Sequence, residues 1–319
     1  MTMGLNLDML LFSLNGVAPI VLIMLLGYLL RRWDVLDAHA AGKLNTLAYR
    51  VLIPCNLFMN IYKADLGGVA DMPLLLLSVL GHAAVVALLC LIVPRFLHDG
   101  AQRGEFIQGV YRGNTAILGI PLITNLYGES ATALLALPFS VMLIFYNVSA
   151  PLILAVFSGG EKPDPREMAK KVVTNPFLIA SVAGVLFSLL HIPLPTFVTS
   201  AVNTVGSTGS ALALMALGAV TEIADFRSSG KTAVCASLLR LVLIPLVILS
   251  IGIGLGMRKE QLAVLVCFFC TPTAVGSYVL AQNVTGDGRL ARQILIVTTL
   301  LSVITMFVTL AVLRAIGVM

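Results

Sequence analysis

Hydrophobic residues in this chain come in long blocks, each closed off by a short polar or charged stretch. Ten blocks can be marked, at roughly 9–30, 41–62, 73–96, 104–127, 131–157, 175–191, 197–221, 232–256, 261–283 and 292–315. Most approach the ~20 apolar residues that an α-helix needs to cross a bilayer. The sixth is short, and the second and fourth are polar for segments that would lie in hydrocarbon. The pattern predicts an all-α polytopic membrane protein with ten transmembrane helices.

The fourth block holds the most expensive sequence. Arg112 to Gly128 reads RGNTAILGIPLITNLYG, with Arg112, Asn114 and Thr115 followed by Gly119 and Pro121. Proline removes a backbone donor and its ring clashes with the preceding turn; glycine loosens that turn further. In hydrocarbon the freed backbone groups must find partners in protein or in a water-filled cavity. A span that is both polar and interrupted therefore points to a binding site. A second stretch, Thr271 to Asp287, reads TPTAVGSYVLAQNVTGD. At a fixed offset of 158 residues, Thr115 meets Thr273, Ala116 meets Ala274, Leu122 meets Leu280, Asn125 meets Asn283 and Gly128 meets Gly286. The same offset lays Asn45-Thr46 over Asn203-Thr204.

Two matches at one offset predict an internal duplication: a first five-helix repeat over 1–157, a cytoplasmic linker over 158–174 (SGGEKPDPREMAKKVVT) and a second repeat over 175–319. Asn175 and Pro176 have the look of an N-cap followed by proline at the first helical position. Five spans per half is an odd number, so the second copy must be inverted in the membrane. Inverted repeats whose broken helices meet near the midplane are a transporter architecture.

Composition sharpens this picture. Hydrophobic residues make up 59% of the chain and charged ones 11%, with a mean hydropathy of +1.01; a soluble domain averages about 25% charged. The net charge of +5 reports on loops and an anionic leaflet, not on nucleic acid. With the N-terminus outside, thirteen Lys and Arg fall on the inner side and four on the outer, with Arg50, Arg112 and Arg240 inside spans. The positive-inside rule then puts both termini on the outer, periplasmic side of the bacterial inner membrane. The first span, flanked by Asp8 and Arg31-Arg32, reads as retained and not as a removable signal. All five cysteines lie in apolar stretches. Cys267 and Cys270 form a CxxC filled by two phenylalanines, read as packing and not as a metal or redox pair.

The breaks set the candidate chemistry. Pro121 can start the second half of the fourth span; Thr271 can cap, and Pro272 begin, the second half of the ninth. Two half-helix N-termini, each with about half a positive charge and free N–H groups, would face one midplane region, which suits an anion. The blander reading is two proline kinks. The candidate substrate contacts are Asn114, Thr115, Gly119 and Pro121 in the fourth span and Thr271, Pro272, Thr273 and Gly276 in the ninth. Tyr146 and Asn147 of IFYNVSAP join them, with Arg112 and Arg240. Arg112 lies about eight residues into its span, roughly 12 Å along a helix, free to snorkel outward or turn inward; Arg240 is placed similarly. Arg50 reads as a snorkelling or packing residue, His82 as a hydrogen-bonded packing residue, and the small residues at 206–211 as close helix packing.

Asp8, Glu105, Glu129, Glu222 and Asp225 all fall near span ends. Cation exchangers need buried carboxylates, so an anionic or neutral substrate is favoured. No metal site, no cofactor and no enzyme signature is expected: HExxH, GxSxG and paired carboxylates are missing.

RGNTAILGIPLITNLYG, LIPCNLF in the second span, YNVSAP in the fifth and TPTAVGSYVLAQ in the ninth resemble the auxin efflux carrier family. The chain is similar to its short bacterial members, the malonate or malate permeases. The resemblance spans essentially the whole chain. It implies ten spans as two inverted five-helix repeats with helices 4 and 9 broken and crossing. It also implies a scaffold from spans one, two, six and seven, a mobile remainder, elevator-type alternating access and a homodimer. The substrate would be a small organic anion, a mono- or dicarboxylate, bound at Asn114, Thr115, Pro121, Pro272, Tyr146 and Asn147. Bile-acid-symporter-like transporters share the crossed helices, which leaves a Na⁺-coupled symporter as one alternative. A membrane sensor without transport is another, although no loop here is long enough to carry an output domain.

Overall fold

The computed structural model describes residues 7–63, 71–158, 166, 170, 173–174, 176–220, 230–285 and 288–319. Most of the 158–174 linker and Asn175 lie outside the described residues. The described residues form helices and no strand; the one extended pairing is an antiparallel bridge between Gly113 and Thr273.

All ten hydrophobic blocks coincide with helical segments to within about four residues. Helix α1 is Leu7–Arg32. Helices α2 (Ala38–Leu47) and α3 (Ile53–Lys63) are joined by a π turn, Ala48–Leu52. Helix α4 is Met72–Ile92 and α5 is Gly100–Tyr111; after a break comes a second π turn, Thr115–Gly119, running into α6, Ile120–Tyr127. Helix α7 is Glu129–Ser158. The second half supplies α8 (Pro176–Leu189), α9 (Thr196–Ser207) and α10 (Gly209–Val220). Next come α11 (Lys231–Leu238), a π turn (Leu239–Leu243), α12 (Ile244–Gly254), α13 (Lys259–Phe269), α14 (Val275–Thr285) and α15 (Arg289–Ala315). Among the described residues five helices are long and apolar enough to cross a membrane: Leu11–Arg32, Met72–Arg95, Ala131–Phe157, Lys231–Gly254 and Arg289–Ala315.

The three π turns share a cause. Each ends two residues before a proline: Leu52 before Pro54, Gly119 before Pro121 and Leu243 before Pro245. A proline ring in a helix collides with the carbonyl four residues back. Widening that turn to i→i+5 bonding moves the carbonyl aside; the N–H of Ile53, Ile120 and Ile244 duly bonds the carbonyl of Ala48, Thr115 and Leu239. The sequence predicts a chain break at Pro121. The structure instead accommodates Pro121 inside a continuous wide-turned helix.

Small residues set the closest helix contacts. A Cβ on Gly27 of α1 would fall on the carbonyl of Met215, and one on Gly218 of α10 would fall on that of Met24. Gly206 and Gly209 approach the backbone of α3 less tightly, with a Cβ meeting Asn56 N at 2.6 Å and Ile53 N at 2.8 Å. Backbone-to-backbone packing of this kind is how helices associate in lipid, and the 206–211 stretch is spent on it.

Candidate functional site

Helix α5 ends at Tyr111 and α13 at Phe269; the chain runs extended on both sides before α6 and α14 begin. The two extended pieces cross antiparallel. Asn114 N donates to Pro272 O at 2.8 Å and Ala274 N donates to Arg112 O at 3.0 Å. The breaks are therefore at 112–114 and 270–274. Threonine side chains staple them: Thr115 Oγ1 donates to Cys267 O at 3.1 Å and Thr273 Oγ1 to Gly109 O at 2.6 Å. Gly113 must be glycine at such a crossing, because a Cβ would strike Arg240 Nη2 and lie 2.7 Å from Phe268 O.

Arg240 supplies the rest. Its guanidinium is fully buried and donates to Thr271 O at 2.9 Å, Tyr111 O at 3.0 Å, Val110 O at 3.3 Å and Phe268 O at 2.7 Å. Those carbonyls lie at and just beyond the C-terminal turns of two interrupted helices, where intrahelical donors run out and the helix dipoles favour a cation. Arg240 is committed to the framework, and it is not in the lining of the cavity beside the crossing.

A cavity of about 440 Å³ opens beside the crossing. Of the expected site residues it is lined by Arg112, Asn114, Tyr146, Asn147 and Gly276. Thr115, Gly119, Thr271, Pro272 and Thr273 are buried at or beside the crossing and Pro121 is buried in α6, and none of them is in the cavity lining; the hydroxyls of Thr115, Thr271 and Thr273 bond backbone carbonyls. Gly119 gives room to Cys267, whose Cβ would lie 3.0 Å from an added Cβ. The first turns of both half-helices reach the cavity, through Ala116 and Ile117 on one side and Val275 and Gly276 on the other. First-turn N–H groups lack intrahelical acceptors, and these turns, not Pro121 or Thr271-Pro272, are the ones beside the cavity.

The polar groups in that space are sparsely committed. The Asn114 side chain is 4% exposed, and its Nδ2 has no hydrogen-bond partner. Arg112 has neither a carboxylate nor a hydrogen-bond acceptor for its guanidinium among the described residues, and it lies by Gly276, 3.6 Å from where a Cβ there would be. Asn147 donates Nδ2 to Leu143 O at 2.9 Å, which leaves its carbonyl oxygen over. Tyr146 is tied to His82 at 2.8 Å, and His82 Nδ1 lies 2.7 Å from Ser78 O. A carbonyl can only accept, so Nδ1 carries a proton and, in the neutral ring, Nε2 accepts from the Tyr146 hydroxyl. His82 is the buried packing residue that the sequence argument expected.

Four polar lining residues, Asn45, Thr46, Tyr49 and Arg50, lie outside the expected site residues. Asn45 and Arg50 come from the α2 end and the π turn after it. The Asn45 Oδ1 is buried without a partner, and Arg50 again has no acceptor among the described residues. The available signal was the Asn45-Thr46 match at the 158 offset. Glu105 is a buried carboxylate. It is 2% exposed despite its place near a span end, and its carboxylate accepts from Thr285 Oγ1 at 2.9 Å and Ala291 N at 3.0 Å. It does not line the cavity.

Residues 12–310 match the family model described as "Membrane transport protein". A protein of Methanothermobacter thermautotrophicus named as an uncharacterized transporter is 28% identical, covering 92% of this chain and 96% of its own. One of Rhizobium meliloti, named provisionally as a malonate transporter, is 26% identical over 91% and 92%. Auxin efflux carrier component 8 of Arabidopsis thaliana is 20% identical over 84% and 88%. With nearly the whole length matched, the chain is a multi-pass membrane transporter and belongs to the membrane transport protein family, that of the auxin efflux carriers.

Proposed function

We propose that this transporter moves a small organic anion, a mono- or dicarboxylate of the malonate or malate class, across the bacterial plasma membrane. One observation carries the reading. A cavity at the crossing of two interrupted helices presents uncommitted guanidinium and amide groups and two helix N-termini, with no carboxylate among the described residues of its lining. Such a space favours negative charge. The Rhizobium relative's name agrees with that class.

The architecture proposed with it is ten spans in two inverted repeats, 1–157 and 175–319, joined by the 158–174 linker, with both termini outside. Support comes from the contacts at the crossing. Thr115 bonding Cys267 and Thr273 bonding Gly109 are the same contact displaced by 158 in both partners, once in each half. Asn114 and Pro272, which bond each other, are likewise 158 apart. Elevator-type movement of the crossing helices against α1–α3 and α8–α10, and a homodimer through the latter, follow from the family resemblance. Purified protein in proteoliposomes loaded with labelled malonate or malate tests the reading. Anion flux above protein-free vesicles is expected, and no flux of either acid would reject it.

A further inference from the structure

Arg50 belongs to a different part of the molecule from Arg112. It sits in the π turn Ala48–Leu52, on the helix pair that packs against α10, whereas Arg112 ends α5 at the crossing. Both line one cavity of about 440 Å³, at the small end of the roughly 300–1,000 Å³ range of ligand sites. Neither has an anionic partner or a hydrogen-bond acceptor for its guanidinium among the described residues. The same lining holds two amides with an unpaired buried atom, Asn45 at Oδ1 and Asn114 at Nδ2, each on the same stretch of chain as one of these arginines. Two cation-plus-amide walls thus face one small space.

The framework of the crossing recurs at the 158 offset, and these charges do not. Arg50 falls opposite Thr208 and Arg112 opposite Cys270. Neither guanidinium bonds the crossing, unlike Arg240, which is wholly spent on it. The two free cations are therefore surplus to the fold, and an uncompensated pair of like charges in a confined space is repulsive until something negative lies between them.

We infer that Arg50 is a specificity-determining residue which takes the second carboxylate of a dianionic substrate, with Arg112 and Asn114 taking the first. The inference rests on the anion-transport reading and narrows it. A short dicarboxylate bridges the crossing and the α2–α3 pair; a monocarboxylate of the same length leaves Arg50 in water. Because Arg50 is exposed to the cavity, its contribution is that of one charge-assisted hydrogen bond at a wet site, about tenfold in KM.

The test is competitive flux in proteoliposomes with malonate and propionate, equal in carbon number. Arg50→Gln is expected to raise the ratio of the malonate KM to the propionate KM about tenfold, and Arg50→Lys to restore part of it. An unchanged ratio, as for an arginine that merely snorkels, overturns the inference. In wild-type protein, which bypasses any folding defect of the variants, malonate should raise the melting temperature in detergent more than monomethyl malonate does at equal concentration. Equal shifts overturn it too. If wild type carries neither acid, the anion-transport reading itself fails, which is a separate result.

Discussion

Arg240 Nη2 donates to the carbonyl oxygen of Phe268 at 2.7 Å, and the same guanidinium reaches Tyr111 O at 3.0 Å on the other interrupted helix. One buried side chain therefore closes the C-terminal ends of both. Removing it orphans several buried carbonyls at once, each costing on the order of 1–3 kcal/mol. Arg240→Met should lower stability by about 3 kcal/mol or more, and Arg240→Lys by less, because one ammonium cannot reach all the acceptors. Thermal unfolding in detergent measures both. A melting temperature within a degree of wild type for the methionine variant would remove Arg240 from this role.

The two threonine staples should not be equal. Cys267 O accepts from Thr271 Oγ1 at 2.9 Å as well as from Thr115, so it keeps a partner when Thr115 is lost. Gly109 O has Thr273 Oγ1 for its side-chain donor and lies where α5 stops. Thr273→Val should therefore cost more than Thr115→Val, about 2 against about 1 kcal/mol. Equal losses, or the reverse order, would show that the carbonyls find other donors.

What the sequence made legible was the helical blocks and the crossing. Blocks of about 20 apolar residues have few alternatives to membrane helices, and the second and fourth stood out because polar groups are costly there. The positions of the breaks were less legible. Pro121 looked like a breaker, but a π turn relieves its ring clash locally. The actual break at Arg112–Asn114 is held by Pro272 O, Thr273 and Arg240 from distant parts of the chain, which no local pattern displays. For the same reason Arg240 read as a candidate ligand and Arg50 as a bystander. Both are arginines within spans, and only the packing around them separates a framework cation from a cavity cation.

The prolines give a further contrast. Pro272 keeps α13 from running on, because its missing N–H cannot take the Phe268 carbonyl that Arg240 occupies. Pro272→Ala supplies that N–H and lets the helix compete with Arg240. Pro121 lies beyond the break, inside α6. Pro272→Ala should therefore reduce flux at least tenfold more than Pro121→Ala. Equal losses in vesicle flux, at matched reconstitution, would put the functional break at Pro121 after all.

Glycine contacts make a prediction about packing alone. Gly218→Ala would press a methyl into the Met24 carbonyl, whereas a Cβ on Gly42 meets nothing within 4 Å. Gly218→Ala should cost about 2 kcal/mol or more, and Gly42→Ala, in an exposed position of α2, should be neutral or stabilise by up to about 1 kcal/mol. Only the Gly218 variant should melt at a lower temperature than wild type.

The last prediction concerns coupling. Sodium needs several hard oxygen ligands, usually with carboxylate among them, and among the described residues no Asp or Glu lines the cavity. The buried carboxylate nearest in sequence to the break, Glu105, is already occupied by Thr285 and Ala291 N. Anion flux should therefore proceed without Na⁺. Without a coupled cation, an inside-negative potential drives each exported negative charge outward by about 2.3 kcal/mol per 100 mV. Uniport should then run as export that accelerates with potential, while uptake should require a proton carried on the carboxylate itself. Proteoliposomes with Na⁺, pH and a potassium-diffusion potential set independently separate these cases. An absolute Na⁺ requirement would overturn the prediction and make the protein a cation-coupled symporter, because its ion site would then have to be built from carbonyl and hydroxyl oxygens at the crossing instead of from carboxylates.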